Sequence, residues 1–393
     1  MHTSHKLITA LLIASALAWA SNYLALFRSQ EKISNPESTA RSLTPNQNSA
    51  VSYRVETVAE NLYVPWSMVF TSPHRMLVSE RNGSIRIIEN DTLIEKPLTH
   101  FDEVATGGEE GLMGLALDPN YANNKSVFAC LAYRSGDELR DKVVSFQDNG
   151  NSITSLKTVI DAIPSAVNHA GCRLLFLPDS TLLITTGDAT NKKLPQDLNS
   201  LGGKILRINR DGSIPNDNPF PNSPIWSYGH RNPQGLAYDS INNILWETEH
   251  GPSVIDGPAG GDEINIISKG NNYGWPLIHH KQKQDGLISP LLEFTPAVAP
   301  GGMLFYNGAL FPQFTGKLLF AALRGEAIFV LTLDPNNPQR ITAFDKIPDI
   351  KKGRIRDIVQ APNGSIYFVS SNRDGRGKLQ TNDDKIYRLV PQS

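Results

Sequence analysis

Two arginines stand two residues apart in the string GRIRD, as Arg354 and Arg356. Alternate residues of a β-strand point to the same face, so both guanidinium groups are predicted to share one side of a strand. Two like charges on one face are costly unless an anion lies between them, and guanidinium groups bind carboxylates well. Arg324, at the end of GKLLFAALRG, is predicted to add a third cation. The pattern indicates a carboxylate-rich ligand; the alternative is a surface pair flanked by Lys351 and Lys352.

A histidine and two adjacent glutamates stand at the start of two other β segments. His169 follows a loop in the string NHAG, and a histidine there can act as a general base because its ordinary pKa lies near neutral pH. A lone histidine is more often structural, so that alternative stays open. Glu109 and Glu110 lie in the string GGEEGLMG. Adjacent residues of a strand point to opposite sides, so at most one of the two glutamates is expected to face a shared site.

The densest group of polar residues lies between positions 225 and 276. In SYGHRNPQG, Arg231 and Asn232 precede a β segment, and in ETEHGP, Gly251 and Pro252 follow that segment directly. Charged residues between a buried strand and a Gly-Pro turn indicate a site at the end of that strand, because loops on rigid scaffolds carry function. The alternative is a turn held together by ion pairs.

An oxygen-rich turn follows in the string GGDEINIISKGNNYGWP, with Glu263 near its start and Tyr273 near its end. Calcium binds carboxylates and backbone carbonyls on loops of this kind. The sequence contains no DxDxDG loop, and an Asp-Glu pair is commonly a solvated turn, so that alternative is also open. The sequence has no CxxC, HExxH or GxGxxG pattern either, which leaves no motif for zinc or a dinucleotide.

These residues are positioned by a pattern that recurs six times. In each copy, apolar residues lead into a turn of Pro, Asp, Asn or Gly and then into a short β run that ends in small polar residues. A hairpin cannot bury its own apolar face, so six irregular copies predict radially packed sheets, an all-β six-bladed β-propeller. A propeller gathers one loop of each blade at the mouth of its channel, where the polar residues are expected to meet. The copies occupy residues 66–83, 111–133, 171–188, 235–252, 302–325 and 355–375.

Composition and patterning predict a single globular domain over residues 51–393. The formal net charge of the 393-residue chain is -2, which gives no reason to expect nucleic acid as a partner. No Pro/Ser-rich linker interrupts the chain after position 51. The strings VSYRVETV at 51–58 and DKIYRLV at 384–390 alternate like strands. They are expected to pair and so to close the ring of blades.

The N-terminus predicts export from the cytoplasm. Residues 1–27 combine a lysine, an apolar stretch and an Ala-Trp-Ala site at 18–20, which is typical of a signal peptide. The apolar stretch is also long enough to span a membrane, so an uncleaved anchor that tethers the protein is the alternative. Residues 28–50 are rich in Ser, Asn, Thr, Gln and Pro, which predicts a disordered linker.

The chain has two cysteines, Cys130 and Cys172. An even count in an exported protein permits a disulfide. Both cysteines lie in strand segments that are expected to point inward, and a free buried cysteine behaves as a small hydrophobic residue. The sequence therefore favours two free cysteines and leaves the disulfide as the alternative.

Taken together, the motifs resemble a known family. The strings GGEEGLMGLALDPNY, NHAGCRLLFLPD, LGGKILRINRDGSIPNDNPF, SYGHRNPQGLAYD, PGGMLFYNG and GRIRDIVQAPNGSIYF occur in order over residues 55–389. They are similar to the soluble quinoprotein glucose/sorbosone dehydrogenases, and in particular to the periplasmic aldose sugar dehydrogenases. The resemblance implies a six-bladed propeller with pyrroloquinoline quinone (PQQ) and calcium on one face, and oxidation of aldose sugars to lactones in the periplasm.

The resemblance also implies roles for individual residues. His169 matches the general base that takes the hydroxyl proton while a hydride moves to the quinone. Arg231 and Asn232 match a pair beside the quinone. Glu109 matches a position that contacts the cofactor. The cations that match the cofactor-binding set are Arg324, Arg354 and Arg356.

Two metal positions follow from the same resemblance. Gly251 and Pro252 match backbone carbonyl ligands of a catalytic calcium, and Glu263 and Tyr273 match a second, structural calcium site. Four departures accompany the match. Arg324 replaces a usual lysine, Asn168 stands where glucose-oxidising members have aspartate, Cys172 replaces a usual glycine, and the loop at 279–286 lacks an aromatic residue that relatives place over the cofactor.

Three functions compete on the sequence. The first is a PQQ- and calcium-dependent sugar dehydrogenase, the second a calcium-dependent propeller lactonase, and the third a binding module without catalysis. The pair Arg354 and Arg356 favours the first, because a hydrolase needs metal-held water rather than an arginine clamp. The sequence leaves open the sugar, the electron acceptor and whether the protein is a monomer or a dimer.

Overall fold

The structure, a computed structural model, describes residues 52–392. The predicted export segment 1–27 and the predicted linker 28–50 lie outside the described residues. Within 52–392, no helix is both long and apolar enough to cross a membrane.

The described chain folds into six antiparallel sheets, which are the blades of the structure. The chain enters through β1 (Tyr53–Ala59), which belongs to the sixth blade. Blade 1 consists of β2 (Pro65–Ser72), β3 (Arg75–Glu80), β4 (Ser84–Glu89), β5 (Thr92–Leu93) and β6 (Thr99–His100). Blade 2 consists of β7 (Leu112–Leu117), β8 (Ser126–Ser135), β9 (Glu138–Asp148) and β10 (Ile153–Pro164), with helix α1 (Tyr121–Asn124) after β7. Blade 3 consists of β11 (Gly171–Phe176), β12 (Leu182–Thr186), β13 (Lys204–Ile208) and β14 (Ile225–Tyr228).

The remaining three blades repeat the same order. Blade 4 consists of β15 (Pro233–Asp239), β16 (Ile244–Glu249), β17 (Asp262–Ile266) and β18 (Leu292–Phe294). Blade 5 consists of β19 (Pro300–Tyr306), β20 (Lys317–Ala322), β21 (Ala327–Asp334) and β22 (Asn337–Lys346), with a short 3₁₀ helix (Pro312–Phe314) after β19. Blade 6 consists of β23 (Ile355–Gln360), β24 (Ile366–Ser370), β25 (Ile386–Pro391) and β1.

The blades close into a ring, which confirms the predicted six-bladed β-propeller. The first strands of successive blades, β2, β7, β11, β15, β19 and β23, contact one another in that order, and β23 contacts β2. Strand β1 pairs antiparallel with β25, from Tyr53 opposite Pro391 onward. The predicted pairing of the two chain ends is therefore confirmed, and it removes an open sheet edge.

Each copy of the sequence repeat contains the first two strands of a blade, and these strands bury both of their faces. Strand β16 is buried along its whole length. Close contact between the inner strands requires glycine at Gly114, Gly235 and Gly301. A Cβ at these positions would lie 2.3, 2.4 and 2.2 Å from a carbonyl oxygen of the next blade. The inner strands thus form a rigid ring, on which the loops before and after them are held.

The two cysteines form a disulfide, so the prediction that they are free is wrong. Cys130 lies on β8 and Cys172 on β11, and their Cα atoms are 6.0 Å apart. Inward-pointing strands of neighbouring blades bring the two residues within the range that a disulfide spans. The bond joins blade 2 to blade 3, three residues after His169.

Candidate active site

Loops from several blades enclose connected cavities at one end of the ring. The larger, which we call the mouth cavity, has a volume of about 790 Å³, and its lining includes His169, Arg231 and Gly251. The smaller, which we call the inner cavity, has a volume of about 140 Å³, and its lining includes Arg354 and Arg356. The two cavities share lining residues from four blades: Glu109, His250, Ala299, Arg324 and Arg376.

His169 lies in the mouth cavity with both ring nitrogens bonded. Its Nδ1 is 2.7 Å from Oδ1 of Asp188, and its Nε2 is 2.8 Å from Nη2 of Arg231. An arginine has only donors, so Nε2 accepts this bond and the proton of the neutral ring is on Nδ1, where it is donated to the carboxylate. The geometry therefore leaves the basic lone pair of His169 on Nε2, directed at the guanidinium of Arg231.

Asp188 was missed by the sequence analysis, although it ends the third repeat. Its carboxylate is buried and accepts a bond from the indole Nε1 of Trp275 at 2.8 Å in addition to the bond from His169. The backbone amide of Asp188 donates to the carbonyl of Arg231 at 2.8 Å. These fixed bonds hold the carboxylate still, so it orients the imidazole. The rule that polar residues after each repeat share one site could have identified it.

Arg231 reaches the mouth cavity, whereas Asn232 does not line any of the cavities described. The Nε of Arg231 donates to Oδ2 of Asp256 at 2.8 Å, and its Nη1 donates to the carbonyl of His250 at 3.1 Å. Asn232 is fully buried, accepts from Gln234, and has an Nδ2 without a partner. Asp256 is a second site residue that the sequence analysis missed, because it lies in a loop without a distinctive motif.

The two arginines of GRIRD line the inner cavity together, but they differ in their partners. Arg354 donates to Asp374 at 2.7 Å. Arg356 is buried, donates to Oε1 of Gln234 at 2.9 Å, and has an Nε without a partner. Burial, opposed by Asp374 and reinforced by the charge of Arg354, lowers the pKa of Arg356 to about 9. A buried cation in this state would be stabilised by an anionic ligand.

Arg324 lines both cavities from the end of blade 5. Its side chain is exposed, and within residues 52–392 it makes no ion pair or side-chain hydrogen bond. Glu109 also lines both cavities, and its Oε2 accepts a bond from the amide of His169 at 2.9 Å. The inner cavity is thus lined by several cations and one carboxylate, a charge balance that favours an anion.

The predicted ligands of the catalytic calcium border the mouth cavity. Gly251 and Pro252 line it together with Gly260 and Asp262. A Cβ on Gly251 would lie 2.3 Å from the carbonyl oxygens of both Gly260 and Gly261, so several carbonyl groups converge at this turn. Asp262 accepts bonds from the amide of Gly251 at 2.9 Å and from two amides of the next blade. Oxygen donors of this kind suit a hard cation such as calcium.

The predicted structural calcium residues lie inside blade 4 rather than at the cavities. Glu263 is opposite Glu249 on neighbouring strands, and Asn265 donates to both Glu263 and Glu247 at 3.0 Å. Burial and the charge of Glu249 raise the pKa of Glu247 and of Glu263 well above the usual range. Within the described residues no Lys or Arg side chain pairs with either of these two glutamates.

His230 and Glu249 connect the buried glutamates of blade 4 to Arg231 of the mouth cavity. His230 lies 2.9 Å from Glu249 and stacks on the ring of Tyr273 at 4.7 Å. Ligand atoms of His230, Glu247 and Glu249 all lie within 4.8 Å of one another, close enough to share a metal ion. Because Glu249 also accepts the backbone amide of Arg231, a cation bound here would stabilise the segment that carries Arg231.

Comparison with known proteins agrees with this architecture. The aldose sugar dehydrogenase YliI of Escherichia coli K12 is 33% identical over 345 residues, which cover 82% of this chain and 91% of that protein. The quinoprotein glucose dehydrogenase B of Acinetobacter calcoaceticus is 26% identical over an alignment that covers 88% of this chain and 91% of that protein. The PQQ-bound aldose sugar dehydrogenase of Streptomyces coelicolor superposes with a TM-score of 0.75 at 33% identity, over 86% of this chain and 98% of that one.

The family assignment rests on a match that spans the propeller. The model of the family described as glucose/sorbosone dehydrogenase matches residues 62–386, from just after β1 to the first residue of β25. The resemblance inferred from the sequence motifs is thereby confirmed. This chain belongs to the glucose/sorbosone dehydrogenase family.

Proposed function

We propose that this protein is a PQQ- and calcium-dependent dehydrogenase that oxidises aldose sugars to lactones. The observation that carries the proposal is Arg356, a buried cation with an unpartnered Nε in a cavity that Arg324 and Arg354 also line. Relatives named as aldose sugar and quinoprotein glucose dehydrogenases support the reaction and the cofactor.

The residues of the inner cavity fit a flat polyanion such as PQQ. Arg324, Arg354 and Arg356 would bind its carboxylates, since charge-assisted bonds to guanidinium are among the strongest in proteins. The indole of Trp66 lines the same cavity and lies 5.7 Å from the guanidinium of Arg356. It offers an apolar face beside the charged groups. Glu109 and Arg231, which line the cavities, complete the proposed cofactor set, whereas the buried Asn232 lies outside it.

His169 is the proposed general base. Its Nε2 would take the proton of the anomeric hydroxyl, and Asp188 would stabilise the resulting imidazolium through Nδ1. When bound, the quinone supplies the acceptor for the hydride that leaves C1 of the sugar, so that two electrons leave the substrate and the lactone forms. In the protein without ligand, Arg231 donates a hydrogen bond to Nε2. This bond must break, and the guanidinium must turn toward the bound cofactor and sugar, before Nε2 can accept the proton.

Calcium is proposed at two places. The carbonyls of Gly251 and Pro252 would hold one ion at the mouth cavity, where a Lewis acid would polarise the quinone. Glu263 and Tyr273 would hold the other, next to Glu247. Neither glutamate pairs with a Lys or Arg side chain within residues 52–392. The first ion would serve catalysis, and the second would stabilise blade 4.

We also propose that the protein is exported to the periplasm. The N-terminal sequence predicts export, and the disulfide between Cys130 and Cys172 suits an oxidising compartment. An aldose sugar is the proposed substrate; the electron acceptor is left unassigned.

Reconstitution tests the proposal directly. Purified protein free of cofactor is mixed with PQQ and calcium, and reduction of an artificial dye is followed with a panel of aldoses. We expect dye reduction that requires PQQ, calcium and sugar together. A protein that binds PQQ without oxidising any aldose, or that hydrolyses lactones under the same conditions, would contradict the proposal.

A further inference from the structure

Arg376 lines the same cavities but belongs to none of the sequence motifs, and its position is fixed by the loop that carries it. This loop joins β24 to β25. Within it, Asn372 accepts the amide of Arg354 at 2.9 Å and donates to Asp383 at 3.0 Å. A Cβ on Gly377 would lie 2.6 Å from the backbone of Asn372. The loop is therefore packed tightly against blade 6, and it presents Arg376 to the cavities.

The side chain of Arg376 bridges two other blades. Its Nη1 donates to Oε1 of Glu109 at 2.7 Å, and its Nη2 donates to Oδ1 of Asn168 at 3.0 Å. Glu109 precedes blade 2 and Asn168 precedes blade 3. Both Arg376 and Glu109 line the inner cavity, the mouth cavity and a third cavity of about 290 Å³. The pair thus lies where the three cavities meet.

Glu109 in turn holds the backbone on both sides of Asn168. Its amide donates to the carbonyl of Val167 at 2.7 Å, and its Oε2 accepts the amide of His169 at 2.9 Å. His169 has a φ of 59°, a left-handed conformation that a residue with a side chain adopts only under constraint. Bonds to Glu109 supply part of that constraint, and Arg376 fixes the carboxylate that makes one of them.

Charge gives Arg376 a second effect. Glu109 is the carboxylate of the inner cavity, whose other charged lining groups are arginines. Although burial opposes it, the charges of His250 and Arg376 and the amide of His169 lower the pKa of Glu109 to about 2. Glu109 is therefore an anion at neutral pH, and without a partner it would repel a polyanionic ligand.

We propose that Arg376 is a positioning residue that binds Glu109 and Asn168 together, a contact that we call the clasp. The clasp holds the backbone of His169 in place, and it neutralises Glu109, the one carboxylate among the described residues that line the inner cavity. The part that concerns the base and the cofactor rests on the proposed function. The clasp itself is a property of the protein without ligand.

Hydrogen exchange, followed by mass spectrometry on the unliganded protein, tests the positioning effect. In Arg376→Ala we expect the peptide covering residues 165–172 to exchange about tenfold faster, because the amide of His169 loses a fixed acceptor. Lys378→Ala is the matched control: it removes a cation from the same loop, and Lys378 is exposed with no side-chain hydrogen bond or ion pair among the described residues. Arg376→Lys keeps the charge and reaches one acceptor at a time, so its exchange should lie between the two. Unchanged exchange in Arg376→Ala would overturn the positioning effect.

A double-variant cycle on PQQ binding, measured by fluorescence, tests the neutralising effect. Arg376→Ala should weaken binding about tenfold, since it leaves the half-buried carboxylate of Glu109 without a cationic partner beside the anion. Adding Glu109→Gln, which keeps an acceptor for the amide of His169, should restore most of that loss. If the double variant binds no better than Arg376→Ala, the neutralising effect is wrong. If the parent itself does not bind PQQ, the proposed function fails, while the exchange result still decides the clasp.

Discussion

His169 and Asp188 are joined by a hydrogen bond of 2.7 Å between Nδ1 and Oδ1, across a sequence separation of 19 residues. The carboxylate that orients the proposed base therefore does not come from the residue before it, where this chain has Asn168. It comes from Asp188, two residues after the end of β12. Replacement of the usual aspartate at Asn168 thus leaves the base with a carboxylate partner, and Asn168 instead accepts a bond from Arg376.

Asp188→Asn tests this relationship. An asparagine can present its NH₂ group to Nδ1, which would move the ring proton to Nε2 and place it against the donor of Arg231. We expect kcat to fall about 10²–10⁴-fold with the fold intact, which is the usual size of a general-base contribution. Steady-state kinetics with saturating PQQ and calcium measures the fall. Asp179→Asn, at an ion pair with Arg207 outside the cavities, is the control, and equal kinetics for the two variants would contradict the assignment.

His169→Gln tests the base itself. Glutamine keeps a polar side chain of similar length but cannot take a proton at neutral pH, so turnover should drop by about 10²–10⁴-fold. PQQ binding should stay nearly unchanged, because the proposed cofactor contacts are made by other residues. Single-turnover kinetics together with a binding titration separates the two effects. Near-parental turnover would show that His169 is structural.

The sequence predicted the fold well because each blade is encoded locally. Apolar alternation and turn residues recur in every repeat, and the alternation at 51–58 and 384–390 was enough to predict the closing pair of strands. The disulfide was harder, because the distance between Cys130 and Cys172 depends on how blades 2 and 3 pack.

The site was predicted only in part, for a related reason. Arg354 lies just before β23 and Arg356 lies on it, two positions apart, so a short extended segment is enough to bring both to the inner cavity. The contact between Arg376 and Asn168 joins residues 208 positions apart. It depends on closure of the ring, which no local pattern reports. Asp256 likewise meets Arg231 only through the folded loop after Pro252.

Arg354→Ala and Arg356→Ala test whether the inner cavity binds the anionic cofactor. Each variant should lose a charge-assisted contact worth roughly 1.5–3 kcal/mol, which corresponds to about ten- to a hundredfold weaker PQQ binding. The two losses should not add, since both residues would bind the same ligand. Turnover of the loaded enzyme should change less than affinity. Arg86→Ala, on β4 of blade 1 and paired with Glu80, is the control; parental affinity in both cavity variants would place the ligand elsewhere.

The disulfide gives a prediction for stability. Closing a loop with a sequence separation of 42 residues stabilises the fold by about 4 kcal/mol in the chain-entropy model. Removing the disulfide should therefore lower the free energy of unfolding by about 4 kcal/mol. The φ of 71° at Cys172 is left-handed, a conformation that glycine adopts without strain. The double variant Cys130→Ala, Cys172→Gly should recover about 1 kcal/mol of this loss, because glycine at 172 relieves the backbone strain. Denaturant unfolding measures the difference, and a thiol titration that finds free cysteines in the unreduced parent would contradict the disulfide.

Calcium gives the last prediction, because the buried carboxylates of blade 4 offer a site whose occupation should appear as stability. Saturating calcium should raise the free energy of unfolding, by about 2.7 kcal/mol at a hundredfold excess over the dissociation constant, and a chelator should reverse the gain. Glu247→Gln removes a buried carboxyl group that could bind the ion but keeps an acceptor for Asn265. We expect this variant to match the parent in chelator and to lose most of the gain in calcium.

Glu89→Gln, at an exposed position on β4, should respond to calcium like the parent. PQQ binding provides the second readout, since the ion proposed at Gly251 and Pro252 would be separate from this cluster. Glu247→Gln should still bind PQQ only when calcium is present. A parent whose unfolding and PQQ affinity are both the same in calcium and in chelator would rule out both ions. A loss of PQQ binding in Glu247→Gln at saturating calcium would mean that the two sites are coupled through Glu249, which accepts the backbone amide of Arg231.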